Sequence, residues 1–385
     1  MTHIAKSKIM LAILTSLALV MTSIPALYAD DPDFSPIPDS TADGWDYEET
    51  PFAVVPYPVA AIAFDSRNNL YTTNWLEDYD GETITVYKCE APEYDFQSQS
   101  GYVSFPKLFD TASGMDFDDK GNLFVSEIIL LGNPKGHPYN ADVGLIRMVR
   151  KRTRRVSDPI IFADISGSSG YVGDFRATGI AAMDNQDVYF PGRKWSDQDW
   201  GNIYLIDSFK HYMPGTEPGI VWPGLVIYAI ADDPWGRIFV ADRNIYARNP
   251  YTQEVVTIAE FSAPKYVEEL AFDSDGYLYA LEGDDGEGPY APEIVKLIPP
   301  HIIISGCNTR IIDWPLEDGS TIGGIIKENC PDNSECPGAF VRCVLRNSLE
   351  FMKEGLLSPQ QTAAMVSCAA KAINWKSPMG AWDCR

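Results

Sequence analysis

Carboxylate side chains recur at equivalent places in the middle of this 385-residue chain. Glu127, Asp242 and Glu282 each end the second of two apolar runs, and Glu268 stands just before the first run of the last pair. Carboxylate oxygens are the ligands that a hard cation such as Ca²⁺ takes in proteins. These four residues are therefore candidate metal ligands. The alternative is that each carboxylate accepts hydrogen bonds from backbone amides of the next loop.

Residues for other kinds of catalysis are scarce. The sequence has no Gly-x-Ser-x-Gly motif for a nucleophilic serine and no Cys-x-x-Cys motif for zinc or haem. After the first thirty residues the only histidines are His137, His211 and His301. The sequence therefore identifies no catalytic residue, and no cofactor beyond the Ca²⁺ candidate.

The carboxylates belong to a repeated unit that must position them. Each unit reads as an apolar strand, an Asp-rich turn with Gly or Asn, and a second strand that usually ends in a polar residue. Such a pattern predicts a β-hairpin, because Asp and Asn bond nearby backbone groups in turns. The five units cover residues 61–74, 114–127, 179–190, 229–242 and 269–282.

The spacing of the units predicts the fold class. Turns recur roughly every 40–65 residues, which is the length of a four-stranded propeller blade. We therefore predict an all-β propeller of five or six four-stranded blades over residues 52–305. We expect residues 49–56 to close the ring against a C-terminal strand at 301–304. The turns mark one face of the disc, so the four carboxylates are predicted to share the other face.

The unit 114–127 (Gly-Met-Asp-Phe-Asp-Asp-Lys-Gly-Asn-Leu-Phe-Val-Ser-Glu) and its copies resemble the NHL and SMP-30/gluconolactonase-like propellers. In the lactonase-like proteins, the resemblance implies a divalent cation held by residues just before the inner strands. Of the residues at these positions here, only Glu268 is a good ligand, which argues against a metal-dependent lactonase. The positions are Ala60, Ser113, Thr178, Tyr228 and Glu268.

The N-terminal segment of the chain predicts export. Residues 1–29 have the three-part plan of a secretory signal peptide, with an uncleaved anchor helix as the alternative, and residues 30–51 form an N-terminal extension. No later stretch is apolar enough to span a membrane. The net charge of −24 repels nucleic acid. A periplasmic, cell-surface or extracellular location is expected.

Six of the seven cysteines crowd residues 306–385, which predicts a disulfide-stabilised helical module. Helices are expected over 340–354 and from Ser358, turning at Gly355. Cys343 and Cys368 then lie at similar heights, so they are candidates for one bridge. The segment looks like cysteine-bracketed hairpins of uncharacterised exported bacterial proteins. The six candidates are Cys307, Cys330, Cys336, Cys343, Cys368 and Cys384.

Two functional hypotheses follow. The first is an exported binding or assembly protein, whose partner is an unknown protein or small molecule. The basic segment 147–155 is expected at an exposed hairpin tip, where it could support self-association. The second is a metal-dependent hydrolase or lyase at the channel mouth, in which Ca²⁺ or Zn²⁺ polarises a carbonyl and a carboxylate moves the proton.

Overall fold

A computed structural model shows a β-propeller followed by three helices. It describes residues 38–48, 52–54, 59–74, 83–96, 99–106, 111–128, 144–151, 160–164, 175–177, 179–183, 187–194, 202–206, 227–262, 265–284, 293–331 and 337–376. The segment predicted as a signal peptide therefore lies outside the described residues, as do His137, His211, Cys336 and Cys384. Within the described ranges, no helix is long and apolar enough to cross a membrane.

Antiparallel sheets form five blades. The strands preceding the first blade are β1 (Ser40–Thr41), β2 (Asp46–Tyr47) and β3 (Ala53–Val54). Blade 1 contains β4 (Val59–Phe64), β5 (Leu70–Asn74), β6 (Thr83–Cys89) and β7 (Ser100–Pro106). Blade 2 contains β8 (Thr111–Phe117), β9 (Leu123–Ile128), β10 (Gly144–Val149) and β11 (Ile160–Asp164). Blade 3 contains β12 (Phe175–Ala177), β13 (Ala181–Ala182), β14 (Val188–Lys194) and β15 (Asn202–Ile206).

The last two blades take strands from both ends of the propeller. Blade 4 contains β16 (Ala229–Asp232), β17 (Ile238–Ala241), β18 (Ile245–Arg248) and β19 (Val255–Glu260), and β1 pairs with β19. Blade 5 contains β20 (Lys265–Phe272), β21 (Leu278–Asp284) and β22 (Glu293–Ile298), and both β2 and β3 pair with β22. Blades 1 and 2 have the predicted four strands, whereas in blade 3 the short β12 and β13 both pair with β14.

The blades close into a ring of five. Each inner strand contacts the inner strand of the next blade, in the order β4, β8, β13, β16 and β20, and β20 contacts β4 again. The propeller predicted from the repeat is confirmed. The alternative of six blades is wrong, because the five hairpin units already complete the circle.

Ring closure differs from the expected pairing. The segment around Phe52 and β3 pairs with β22 and not with residues 301–304. Those residues form β23 (His301–Ile304), which pairs with β24 (Cys307–Ile312) in a separate hairpin. Moreover, β1 and β2 lie in the segment expected to be an extension, yet they complete the outer edges of blades 4 and 5.

An Asp carboxylate organises the turn between the first two strands of four blades. In blade 2, Asp118 Oδ1 accepts a hydrogen bond from the Asn122 amide at 2.7 Å. Three residues after the Asp, the backbone has a positive φ, which Gly and Asn tolerate best: φ is 76° at Gly121 and 62° at Asn68. The sequence-based turn assignment is thus confirmed. The four carboxylates belong to Asp65, Asp118, Asp233 and Asp273.

Three helices follow the β23–β24 hairpin: α1 (Ile322–Asn329), α2 (Pro337–Lys353) and α3 (Pro359–Lys376). The predicted start of α3 is correct in detail, because the Gln361 amide donates to Ser358 Oγ at 3.1 Å and the Ser358 amide donates to Gln361 Oε1 at 2.9 Å. This reciprocal pair is a capping box. The helix α1, which begins after the cap Thr321, was not predicted.

The module packs on the turn-bearing face of the propeller. Trp235, in the turn of blade 4, packs against the apolar core of the module, and its Nε1 donates to the Arg310 carbonyl at 2.8 Å. Arg310 also pairs with Asp275, in the turn of blade 5, at 2.9 Å. The module therefore lies away from the face on which the carboxylates were predicted.

Among the described residues, two disulfides stabilise the module, which is typical of proteins that mature in an oxidising compartment. They join Cys307 to Cys368 and Cys330 to Cys343. The proposed bridge between Cys343 and Cys368 is therefore wrong: similar height on two helices does not make two side chains face each other. Cys89 is a buried free thiol, and burial raises its pKa to about 11.

The basic segment 147–155 does not begin at an exposed tip. Arg147 lies inside β10, is 7% exposed and forms an ion pair with Glu127 of the neighbouring strand β9. Arg150 and Lys151 are exposed, and residues 152–155 lie outside the described residues. The partner of Arg147 explains its burial, since a buried cation needs a nearby anion.

Replacing Asp118 by Ala removes the carboxylate that accepts from the amide and the side chain of Asn122. We expect the free energy of unfolding to fall by about 2–3 kcal/mol, since hydrogen bonds to a charged group are stronger than average. Urea unfolding measures this change. Asp119→Ala, in the same turn but exposed, is the matched control and should shift stability by less than about 0.5 kcal/mol. Equal losses in the two variants would contradict this role for Asp118.

Candidate functional site

The predicted ligand Glu268 lies at a β-bulge. Register shifts interrupt the pairing of β20 with β21 between Val267 and Glu269, which leaves Glu268 as the extra residue. The same interruption occurs at Ala60 in blade 1 and at Ser113 in blade 2. A bulge releases its extra residue from the ladder and re-aims its side chain. Glu268 is thus a half-buried carboxylate at a position that the fold repeats.

The strand-end carboxylates have separate surroundings. Glu127 is fully buried beside Arg147, so its charge is already compensated. Glu282 is 1% exposed and pairs in register with Val267, next to Glu268. The Asp242 side chain accepts from the Asn244 amide at 2.7 Å, as the alternative to metal binding predicted. The backbone carbonyl oxygen of Asp242 accepts a hydrogen bond from the Val267 amide at 3.0 Å.

The structure therefore gathers three of the four predicted residues at the junction of blades 4 and 5, while Glu127 lies in blade 2. Among the described residues, no group of three or more His, Cys, Asp or Glu side chains is arranged to hold a metal ion.

The axis of the propeller is tightly packed. A Cβ atom added to Gly114 would lie 2.7 Å from the Cα atom of Gly179, so the inner strands of blades 2 and 3 approach each other through glycine. At the equivalent position in blades 1 and 4 stand Ala61 and Ala229, whereas blade 5 has Glu269. The Glu269 side chain fits because the neighbouring Gly179 has no side chain. A Cβ atom on Gly179 would lie 3.2 Å from Glu269 Oε1.

Glu269 is a buried carboxyl group at the axis. Its exposed fraction is 0%, and its Oε1 accepts from the Leu270 amide at 3.2 Å. Oε2 has no hydrogen-bond partner among the described residues. Burial raises the pKa of Glu269 well above its usual range, and the nearby carboxylates of Asp116 and Glu268 raise it further. Burial at this position thus shifts the balance from the carboxylate towards the neutral acid.

Asp116 and Asp232 form a pair of half-buried acids on the inner strands of blades 2 and 4. Burial raises the pKa of Asp116 and hydrogen bonds with the Ala182 amide, the Phe117 amide and the Asp232 side chain lower it, so that the net value is about 7. The Ala182 amide donates to Asp116 Oδ2 at 2.7 Å. Because two carboxylates repel, a hydrogen bond between them requires a shared proton.

These three acids were missed as a group by the sequence analysis. They differ from the other copies of the repeat in a recognisable way: Asp116 replaces Ala, Asp232 replaces Phe or Ala, and Glu269 replaces Gly or Ala. A position-by-position comparison of the five units would have found them. Chemically, Glu269 can hold a proton away from bulk water, while Asp116 and Asp232 remain partly exposed to it.

A different kind of site lies in the helical module. A cleft of about 430 Å³ opens between the tip of the β23–β24 hairpin, α1 and the start of α2. Ile303 is 51% exposed there. Lys327 is the charged residue of the wall. The lining residues are Ile303, Ile304, Ser305, Gly306, Ile326, Lys327, Cys330, Pro331 and Phe340.

Comparison with known proteins gives no family. No family model matches the chain, and no curated protein matches it. Solved propellers match at low similarity. The PQQ-bound aldose sugar dehydrogenase of Streptomyces coelicolor is 10% identical, with 67% of this chain and 99% of that chain covered and a TM-score of 0.41.

Two other solved structures give similar values. The soluble aldose sugar dehydrogenase of Escherichia coli in the apo form is 11% identical over 66% of this chain and 99% of its own, with a TM-score of 0.41. The gluconolactonase XC5397 of Xanthomonas campestris is 10% identical over 64% of this chain and 87% of its own, with a TM-score of 0.40. These values carry no functional argument, and the propeller follows from the strand pairing itself.

The raised pKa values of Glu269 and Asp116 give a pH dependence with a definite sign. The folded protein binds these protons more tightly than the unfolded chain, so the stabilisation is fully present below the unfolded carboxyl pKa of about 4. It is lost as the pH rises through the folded pKa values, which for Asp116 is about 7. The acids thus favour the folded state at low pH.

Replacing Glu269 by Gln removes one of these titrations. Between pH 4 and pH 8, the unfolding free energy of the variant should improve relative to the original protein, because the variant has no side-chain proton to release as the pH rises. Urea unfolding at both pH values measures the difference. Glu254→Gln, at an exposed position, should show no such change with pH. If the free energies of unfolding of Glu269→Gln and the original protein differ by the same amount at both pH values, the raised pKa of Glu269 is refuted.

Proposed function

We propose that the chain is an exported binding protein in which the propeller is a rigid scaffold and the cleft of the helical module binds an apolar segment of a partner protein. The observation that carries the proposal is the half-exposed Ile303 in the cleft, on a module that is bonded firmly to the propeller. Export is supported by the signal-like residues 1–29 and by the two disulfides.

The attachment of the module supports a role as a fixed platform. Trp235 and Tyr251 of blade 4 pack against the core of the module, and Asn249 Nδ2 donates to the Pro315 carbonyl at 2.9 Å. Within the module, the disulfide of Cys307 and Cys368 ties the hairpin to α3. A rigid binding surface loses little conformational entropy on association, which favours affinity.

The chemistry of the cleft favours an apolar partner. Ile303 is the most exposed large apolar side chain among the described residues, and the cleft is otherwise lined by the buried apolar side chains of Ile304, Ile326 and Phe340. Covering the exposed half of this side chain would contribute on the order of 1 kcal/mol. Lys327 adds one positive charge at the wall, so an acidic residue beside the apolar anchor of the partner is favoured.

The cleft can be tested with peptides. A random peptide-display library selected on the immobilised protein should yield peptides with an apolar anchor. Their affinity, measured by fluorescence anisotropy, should fall at least about fivefold on Ile303→Glu, the equivalent of losing about 1 kcal/mol of apolar contact.

The matched control is Val255→Glu, which introduces the same charge at another exposed apolar residue, 46% exposed, on blade 4. It should leave the affinities unchanged. A selection that yields no peptides, or peptides that bind both variants equally, would overturn the cleft as the binding site.

A metal-dependent hydrolase or lyase at the channel mouth is the second candidate. It is supported by the bulge that sets Glu268 beside the buried Glu282 and near the backbone of Asp242. Against it stands the ion pair that Glu127 makes with Arg147.

Metal content separates the two candidates. If the second is correct, elemental analysis of the natively purified protein should find one divalent cation per chain. Added Ca²⁺ should then raise the melting temperature of the original protein and have less effect on Glu268→Gln. Glu254→Gln serves as the exposed control. No stoichiometric cation, with equal melting temperatures of the variants in Ca²⁺, would exclude this function.

A further inference from the structure

The disulfide of Cys330 and Cys343 separates two clefts. Cys330 is 3% exposed and belongs to the wall of the apolar cleft. Cys343 is half-buried and belongs to the wall of a second, open cleft of about 460 Å³ on the surface of α2. That cleft is lined by Asn329, Ala339, Arg342, Cys343, Arg346, Asn347 and Glu350. A small molecule in it therefore contacts Cys343 and not Cys330.

The sulfur atoms of Cys330 and Cys343 have different hydrogen-bonding neighbours. Asn347 Nδ2 lies 3.3 Å from Cys330 Sγ and 3.6 Å from Cys343 Sγ, so its N–H stabilises negative charge best at Cys330. The carbonyl oxygen of Asn329 lies 3.4 Å from Cys343 Sγ and disfavours negative charge there. Because exchange is faster when the leaving sulfur carries its charge well, Cys330 is the better leaving group.

The second cleft is positively charged within an acidic protein. Arg342 and Arg346 both line it and both are exposed. Glu350 lies 3.6 Å from Arg346, but an exposed pair of this kind contributes little, and Arg342 keeps the local charge positive. The cleft therefore attracts an anion, although the whole chain carries a net charge of −24.

We propose that Cys343 is a site of reversible S-thiolation by a small thiol that carries carboxylate groups. The thiolate of this molecule attacks Cys343 Sγ, a new S–S bond forms between the two, and the bond to Cys330 breaks. The electron pair passes to Cys330 Sγ, where the Asn347 amide stabilises the thiolate before it is protonated by water. The reverse attack by Cys330 restores the original disulfide, so no net oxidant is required.

The other disulfide provides an internal reference. Cys368 is 4% exposed, and its sulfur lies 3.5 Å from the Asn308 carbonyl oxygen. The Cys307 sulfur lies 3.9 Å from the same oxygen. A carbonyl near both sulfurs disfavours a thiolate on either side. This bridge should therefore react slowly under the same conditions.

The experiment uses the full-length mature protein and three probe thiols: glutathione, which is anionic, 2-mercaptoethanol, which is neutral, and cysteamine, which is cationic. After rapid alkylation, peptide mass mapping locates each mixed disulfide and each new free thiol. We expect glutathione on Cys343 and a free thiol on Cys330, formed on the order of ten times faster than any opening of Cys307–Cys368. Glutathione should also react faster than cysteamine at equal thiolate concentration.

Two variants separate the charge from the hydrogen bond. Arg342→Gln should slow the glutathione reaction about threefold and leave the 2-mercaptoethanol reaction unchanged, since exposed charges interact weakly. Lys353→Gln removes one exposed cation elsewhere on α2 and is the matched control. Asn347→Leu should slow all three thiols alike, and circular dichroism checks that α2 is intact.

Several results would overturn the proposal: opening of both disulfides at equal rates, a mixed disulfide on Cys330, or equal rates for the anionic and cationic thiols. An equal effect of Arg342→Gln and Lys353→Gln would also overturn it. None of these readouts depends on a partner in the apolar cleft, so the proposal stands or falls separately from the binding function.

Discussion

The structure depends on the hydrogen bonds that an Asp carboxylate accepts from backbone amides at the first turn of a blade. In blade 5, Asp273 Oδ1 accepts from the amides of Asp275 and Tyr277 at 2.9 and 3.0 Å. These bonds stabilise a tight turn, in which Gly276 has a positive φ. Since the turn sets where the second strand begins, it also sets the register and the strand ends. The same turns then provide the surface on which the helical module packs.

This dependence explains what could be predicted from the sequence. The turn is a local feature, so the repeat identified five hairpins and, from their spacing, a propeller. Ring closure is not local: β2 and β3 pair with β22 although they are separated from it by more than two hundred residues. Nothing in residues 46–54 distinguishes this partner from β23. The pairing of the cysteines was unpredictable for a similar reason, because Cys330 follows a helix that the sequence analysis did not identify.

The candidate sites also have features that follow from the local repeat and were predictable, and features that depend on non-local packing and were not. Strand ends were predicted from the repeat, and the structure places Glu268 and Glu282 side by side as that reasoning implies. Burial at the axis could not be deduced, because it depends on how closely neighbouring blades approach. Gly114 and Gly179 allow that approach, and Glu269 occupies the space that remains. In such an acidic sequence, Glu269 could not be recognised as a buried acid, since exposed and buried carboxylates look alike in a sequence.

Ring closure by the first strands has a consequence for the order in which the chain folds. During synthesis, residues 40–54 emerge before any blade, but their partners in β19 and β22 end only at Glu260 and Ile298. The early blades must therefore exist for a time as an open arc with unpaired strand edges, which are prone to associate with other chains. A chain halted before residue 293 lacks the strand that holds both β2 and β3. Completion of the circle thus marks the point at which the protein is protected from misassembly.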